Sequence, residues 1–333
     1  MAPASFSVRR LVLVMAGCLV VALAAFVLAV CFGEQPLDLS RVREPGSTEE
    51  LIFWSLRLPR VVLAALVGSS LAAAGAMLQS LLRNPLADPF VLGVSGGAAL
   101  GATVALAFGL SLSAYATVSG FALVGALGAT VLVLVVGRLA GGNSPNTTLL
   151  AGVIFNAFAL AAITFIKALV APDKLGEILF WLSGALGHET WRTLGLTAIV
   201  VAVALGVLVG FSPRLNLLTL GEEDAHSLGV DVRFTRRVLL ITASVAVAAV
   251  VSLSGLVGFV GLLVPQLARL LFGVDQRLTV PTSAVLGAAF LMLADLSARL
   301  LFRVFQTEPP VGVITALLGG PLFLALMARQ RRS

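Results

Sequence analysis

Ten long apolar runs constrain this chain more than anything else in it. They lie at about residues 11–32, 58–81, 92–109, 115–138, 148–169, 192–211, 236–253, 256–270, 280–298 and 311–328. A helix needs about 20 mainly apolar residues to cross a bilayer. Only helices and closed barrels satisfy their own backbone there. The chain therefore reads as an all-α polytopic membrane protein: one transmembrane domain over residues 1–333 with about ten spanning helices. The run at 256–270 is the shortest and contains Pro265, while Pro59, Pro281 and Pro310 stand near helix starts, where the missing N–H costs little.

Composition agrees, with 59% apolar and 11% charged residues, far from the make-up of a soluble domain. The net charge of +6 does not point to nucleic acid, because basic residues collect at cytoplasmic membrane edges for topological reasons. With the N-terminus inside, thirteen of the 22 Lys and Arg residues fall on cytoplasmic segments and nine outside, which places both termini in the cytoplasm. Arg9-Arg10 and Met15-Ala16-Gly17-Cys18 resemble export signals, but the 11–32 run exceeds a signal core of about 7–15 residues and reads as a retained first helix. Cys18 and Cys31 share that run, and His188 and His226 stand apart, so no disulfide framework or metal site is expected.

Residues 83–101, RNPLADPFVLGVSGGAALG, interrupt the apolar pattern with a charge, two prolines and closely spaced glycines. Irregular backbone at membrane depth is tolerated only where protein buries it or it lines a cavity, so this stretch reads as part of a transport pathway. Small residues at helical spacing (Gly68, Ala72 and Ala76; Gly97 and Gly101) and the series Gly255, Gly258, Gly261 are expected to pack helices closely. No period of 20–50 residues repeats.

Several chemistries are excluded. There is no G-x-x-x-x-G-K-[ST] phosphate loop, and the only lysines are Lys167 and Lys174, so ATP cannot be bound that way. No nucleophile–base pair or carboxylate dyad is present, so no catalytic residue is assigned and the chain is not read as an enzyme. The alternative, a secondary transporter of a small solute driven by an ion gradient, is disfavoured because no Asp or Glu lies at the centre of a span. Asp295, near the outer end of the ninth span, has Arg299 one turn away and reads as a local ion pair.

Six motifs occur in order: RLPR at 57–60, GAMLQSLLRNPLADPFVLG at 75–93, NTTLLAG at 146–152, LTLGEEDAHSLGV at 218–230, GLVGFVGLLVPQLAR at 255–269 and EPPVGVITALLGGPLF at 308–323. From about Arg57 to the C-terminus the chain thus resembles the permease subunits of type II ABC importers, which take up ferric siderophores, haem and vitamin B12. The resemblance implies a homodimer of ten-helix subunits in the bacterial inner membrane, in contact with lipid and not with nucleic acid. It implies two cytoplasmic ATPase subunits that hold ATP and Mg, no cofactor on this chain, and an external substrate-binding protein. The family usually has Pro-His-x-x-Arg at the inner end of the eighth span, whereas this chain has Pro265-Gln266 and then Arg269. Gln cannot take up a proton as His does near neutrality.

The resemblance also implies roles for particular residues. Arg57 and Arg60, three apart and so facing one side of the outer surface, would with Arg299 receive acidic residues of the binding protein. Interfacial anchoring is the plainer reading of the same arginines. Residues 172–190 carry apolar residues at the spacing of an amphipathic helix on the outer face. Asn84, Leu86, Asn143, Ser144, Asn146 and Thr147 lie at inner ends of spans, where small polar groups suit a closable constriction; Asn146 or Thr147 also suits a helix cap. Asn156, beside Phe155 and Ala159, is a polar residue deeper in the fifth span; it is counted with the pathway residues, where it would contact the cargo, and reads first as an interhelical hydrogen bond. Gly221, Glu222, Glu223, Asp224, Ala225, His226, Ser227, Leu228 and Gly229 form a short cytoplasmic helix that in the family inserts into the ATPase. Ala225 and Leu228, three apart, are expected to share the inserted face.

Overall fold

The computed structural model describes residues 7–34, 38, 41–110, 114–139 and 145–330, and the regular structure among them is helical. α1 (Val8–Cys31) is followed by α2 (Thr48–Leu51), which passes through a π-helical stretch (Ile52–Arg57) into α3 (Leu58–Leu81). A 3₁₀ turn (Pro89–Leu92) leads to α4 (Val94–Ala107), then α5 (Ala114–Leu139), α6 (Pro145–Leu169) and the short α7 (Pro172–Leu182). α8 (Trp191–Leu220), α9 (Glu222–Ser227), α10 (Val232–Ser254), α11 (Val260–Phe272), α12 (Gln276–Phe305) and α13 (Val311–Gln330) complete the order. Seven of these helices are long and apolar enough to cross a membrane, and α4, α11 and α13 supply three shorter apolar segments. The ten expected spans correspond one to one with these helices.

α3 is the centre of the bundle and is buried over nearly its whole length. It is built of small residues because its neighbours touch its backbone. A Cβ added at Gly68 would stand 2.1 Å from the Gly287 carbonyl oxygen of α12, and one at Gly287 would stand 2.3 Å from that of Gly68. One turn pair further along, a Cβ at Gly75 would stand 2.0 Å from the Gly261 oxygen of α11. α4 and α5 meet in the same way at Gly97 and Gly125. Lipid tails offer no hydrophobic drive for helix association, so close van der Waals contact supplies it. Around this centre α1, α5, α6 and α8 expose large apolar residues such as Val20, Val124, Phe165 and Val203, as a lipid-facing or partner-facing surface requires.

Helix boundaries differ from the sequence reading where backbone conformation decides. The eighth span begins at Val260 rather than 256, because Gly255 (φ 63°) and Phe259 (φ 67°) are left-handed and break the helix. This break is buried against the turn after α7 and the start of α13: Cβ atoms at Gly255 and Gly312 would stand 2.3 Å and 2.2 Å from the Trp181 and Ser183 oxygens. The Gly312 N–H donates to the Gly184 carbonyl at 3.0 Å. The amphipathic helix expected over 172–190 stops at Leu182, since Gly184 (φ 75°) turns the chain against Leu256. α8 continues past Pro213 to Leu220. Proline removes the N–H that would bond the Val209 carbonyl, and the Ser212 hydroxyl donates to that oxygen instead, at 2.7 Å.

The Gly68 contact yields a paired test. Ala within a helix is intrinsically favoured over Gly by about 1 kcal/mol, but overpacking costs about 1–3 kcal/mol or more. Gly68→Ala should therefore lower the thermal midpoint of the detergent-solubilised protein. Gly206→Ala in α8, with nothing near its added Cβ, should leave that midpoint unchanged or raise it.

Candidate functional site

The end of the bundle that carries α9 holds two of the expected sites. α9 is closed by a paired cap in which the Gly229 N–H bonds the His226 carbonyl at 2.9 Å and the Val230 N–H bonds the Ala225 carbonyl at 3.0 Å. Gly229 takes the left-handed conformation (φ 83°) that this cap needs. The cap folds Ala225 and Val230 into the core and turns Leu228 outward, 59% exposed. The expectation that Ala225 and Leu228 share one outward face is corrected: Leu228 lies beyond the last helical residue, so three-residue spacing no longer places it over Ala225. Glu222, Glu223 and Asp224 occupy the first turn, where acids suit the helix dipole. Glu222 is ion-paired with Arg236 of α10, and the Ser227 hydroxyl donates to the Glu223 carbonyl at 2.8 Å. Beside α9 lies an open groove of about 670 Å³ lined by Glu223, His226, Asp231 and Arg233 among others.

The second site is the turn from Arg83 to Leu92, a loop suspended from three helices. Asn84 does not face a pathway alone; its Oδ1 accepts from the Leu86 N–H at 2.9 Å and shapes the turn. Leu86 stands 51% exposed at the tip. Gln266 Nε2 donates to the Pro85 carbonyl at 3.0 Å, so the amide in the place of the family's His ties the loop to α11 without a titrating group. Arg269 donates to Gln79 Oε1, and Gln79 Nε2 donates to the Gly261 carbonyl at 3.1 Å. Asn156 Nδ2 donates to the Phe90 carbonyl at 2.9 Å while its Oδ1 accepts from the Gly96 N–H at 3.2 Å. That is the interhelical role expected of Asn156. Asn143 and Ser144 lie outside the described residues. Asn146 and Thr147 fall within the first turn of α6 and not at its cap, because Pro145 already opens the helix.

At the opposite end, which carries α7, the arginines of the docking expectation are largely covered: Arg57, Arg60 and Arg299 are 6%, 9% and 4% exposed and, with Glu34, His188 and Glu308, line an open pocket of about 350 Å³. Arg60 Nε donates to Asp295 Oδ1 at 2.8 Å, and its Nη1 donates to Glu308 Oε2 at 3.2 Å. Asp295, fully buried, also forms the expected ion pair with Arg299 at 2.9 Å. Arg299 Nη2 donates to the Ala29 carbonyl at 2.9 Å, Arg57 Nη1 to the Cys31 carbonyl at 3.0 Å and Arg303 Nη2 to the Gly33 carbonyl at 2.8 Å. These oxygens belong to the last turn of α1 and the segment after it, which have no helical donors of their own. Spacing alone placed the arginines on one helix face; it did not reveal that α1 would bring carbonyls to that face. Sequence reasoning also passed over Arg303 and Glu308, although Arg303 follows Arg299 by one turn and Glu308 opens the EPP motif. Burial works against the Glu308 charge, but Arg60 outweighs it and holds the carboxyl below its usual range. Burial and a hydrogen bond to Glu308 push the Glu34 carboxyl up.

Asp295→Ala would leave two buried guanidiniums without their shared carboxylate. Breaking a buried pair costs about 3–5 kcal/mol, so thermal stability in detergent should fall sharply and the α1–α12 junction should become open to protease. Arg303→Ala, at an exposed position, should cost about 1 kcal/mol or less.

Comparison with known proteins agrees with this geometry. Residues 19–329 match the FecCD transport family. The chain is 44% identical over 280 residues to the cobalamin import system permease protein BtuC of Halobacterium salinarum, covering 84% of this chain and 74% of that protein. It is 42% identical to the hemin transport system permease protein HmuU of Yersinia pestis, covering 84% of each. It is 38% identical to the Fe(3+) dicitrate transport system permease protein FecC of Escherichia coli, covering 90% of this chain and 92% of that one. Among solved structures, an inward-facing metal-chelate type ABC transporter superposes with a TM-score of 0.83 at 30% identity, over 95% of this chain and 98% of that one. The chain thus belongs to the FecCD transport family and has the type II ABC importer permease fold, as a permease subunit whose ATP hydrolysis lies in a separate subunit.

Proposed function

We propose that this permease imports a metal chelate across the inner membrane, with the α9 end in the cytoplasm. The observation that carries the reading is α9 itself: a capped acidic helix with Leu228 turned outward, in a chain without a phosphate loop. Two copies of the chain enclose the pathway, and each copy's α9 enters its own ATPase subunit, the two of which hold ATP and Mg. The charge split of thirteen basic residues against nine supports this orientation. Cobalamin, haem and a ferric chelate are the cargo classes to which the relatives point. The loop at Asn84–Leu86 forms the inner constriction. An external binding protein docks on the α7 end; there Arg57, Arg60 and Arg299 line a pocket, and Arg41, Arg43, Arg192 and Arg303 are among its exposed cations.

Leu228→Asp tests the reading at its base. An unpaired charge forced into a docking groove costs about 3–5 kcal/mol, which is a loss of more than about a hundredfold in affinity. The variant should insert and dimerise normally yet lose its co-purifying ATPase and all uptake of cyanocobalamin, haemin and ferric citrate alike. A variant that keeps a stoichiometric ATPase and normal uptake would overturn the assignment of α9. With the wild-type protein and its external binding protein, uptake of one of those three compounds and not the others names the cargo.

A further inference from the structure

Three helices among the described residues end in the same paired cap. α4 closes on Gly109 (φ 59°), α9 on Gly229 (φ 83°) and α3 on Arg83 (φ 49°). In α3 the Arg83 N–H bonds the Ser80 carbonyl at 3.3 Å and the Asn84 N–H bonds the Gln79 carbonyl at 3.0 Å. The left-handed position of this cap suits glycine, and a residue with a Cβ is strained there. An arginine that holds the position against that preference needs a compensating use for its side chain. Arg83 has one: Nη2 at 2.8 Å and Nε at 3.2 Å both donate to the carbonyl of Leu218. That oxygen is among the last four of α8, which have no partner within the helix.

Leu218 stands three residues before Gly221, where α8 gives way to α9. Pro213 interrupts the backbone ladder of α8 just above it, so residues 214–220 form an arm that carries α9. On its other side the arm is held by Asn216, which donates to Asp275 Oδ1 at 2.7 Å and accepts from the Gln276 N–H at 2.8 Å at the start of α12. Arg83 is also the first residue of the suspended loop, whose remaining ties run to α11 and α6 through Gln266 and Asn156.

We propose that Arg83 is the positioning residue that transmits movement of α9 to the inner constriction, by clamping the start of the Asn84–Leu92 loop to the arm of α8 that bears α9. The assignment rests on the reading of α9 as the ATPase contact and of the loop as the constriction. When the ATPase displaces α9, the arm moves below Pro213, and the two hydrogen bonds to Leu218 draw Arg83 and the loop with it. Asn156 holds the far end of the loop still at Phe90, and Pro85, tied to α11 by Gln266, is the pivot over which the displacement reaches Leu86.

Arg83→Gly separates this role from simple capping. Glycine suits the left-handed backbone and keeps the cap, but it removes the clamp; Arg83→Asn serves the same purpose with a residue that also tolerates this conformation. In protein carrying Cys18→Ala, Cys31→Ala and Leu86→Cys, purified with its ATPase into proteoliposomes, maleimide labelling of position 86 is measured with and without ATP and vanadate. The expected result for both variants is an intact ATPase complex, equal or higher thermal stability and ATP hydrolysis within about twofold of the parent. The nucleotide-dependent change in labelling should fall by about tenfold or more. Arg83→Lys, which can still reach one carbonyl, should recover part of it. A nucleotide-dependent change that persists in Arg83→Gly would overturn the proposal, as would loss of the ATPase or of thermal stability in both variants, since a static cap would then be the residue's role. Failure of the parent protein to retain any ATPase would instead refute the reading of α9, and this proposal with it.

Discussion

The bundle depends on the direct approach of backbones along α3. Where Gly68 meets Gly287 and Gly75 meets Gly261, no side chain separates the helices, and the spacing between α3, α12 and α11 follows from that contact. In a bilayer such contact replaces the hydrophobic drive of a soluble core. The polar network lies at the distance it sets. Gln79, one turn beyond Gly75, reaches the Gly261 and Leu262 carbonyls at 3.1 Å and 3.2 Å and accepts from Arg269. Gln266 on the same helix then reaches Pro85. Wider helix spacing would remove these bonds before it exposed any apolar core.

The two polar ends of the molecule use arginine differently. At the α7 end, Asp295 is a buried carboxylate shared by Arg60 and Arg299, and the remaining guanidinium donors cap the carbonyls of α1. Removal of one partner from such a group is costly because the others stay buried and charged. At the α9 end, Arg83 from an exposed position and Arg236 from a largely buried one link one segment to the next. The first arrangement fixes a junction. The second joins parts that can shift together.

Much of the fold was legible in the sequence because bilayer thickness imposes a length scale on apolar runs, and ten runs became ten helices. The exact ends were not legible where they depend on a left-handed residue: nothing in the letters around Phe259 announces a φ of 67°. The site was legible in part. Residues 221–229 and the RNPLADP turn stood out by charge, glycine and proline, and both proved to be ordered, hydrogen-bonded structures. Sequence spacing failed for Leu228, where the helix ends one residue too early; it found the Asp295–Arg299 pair but not the partners that Arg57, Arg60 and Arg299 draw from α1 and the stretch before α13. Contacts between distant segments are set by packing, and no local pattern records them.

α1 touches the rest of the molecule along a narrow stripe of Cys18, Ala25, Ala29 and Val30. Its two ends are pinned, by Arg10 to the Phe272 carbonyl at 2.8 Å and by the arginines at Ala29–Gly33. Between those pins lies the apolar part of the helix, residues 11–31, about 32 Å long at 1.5 Å per residue. That length is close to a hydrocarbon core of about 30 Å, so α1 spans the bilayer with little mismatch. Because both ends of α1 are fixed to the bundle, its angle is set by the protein and is not free to follow the lipid.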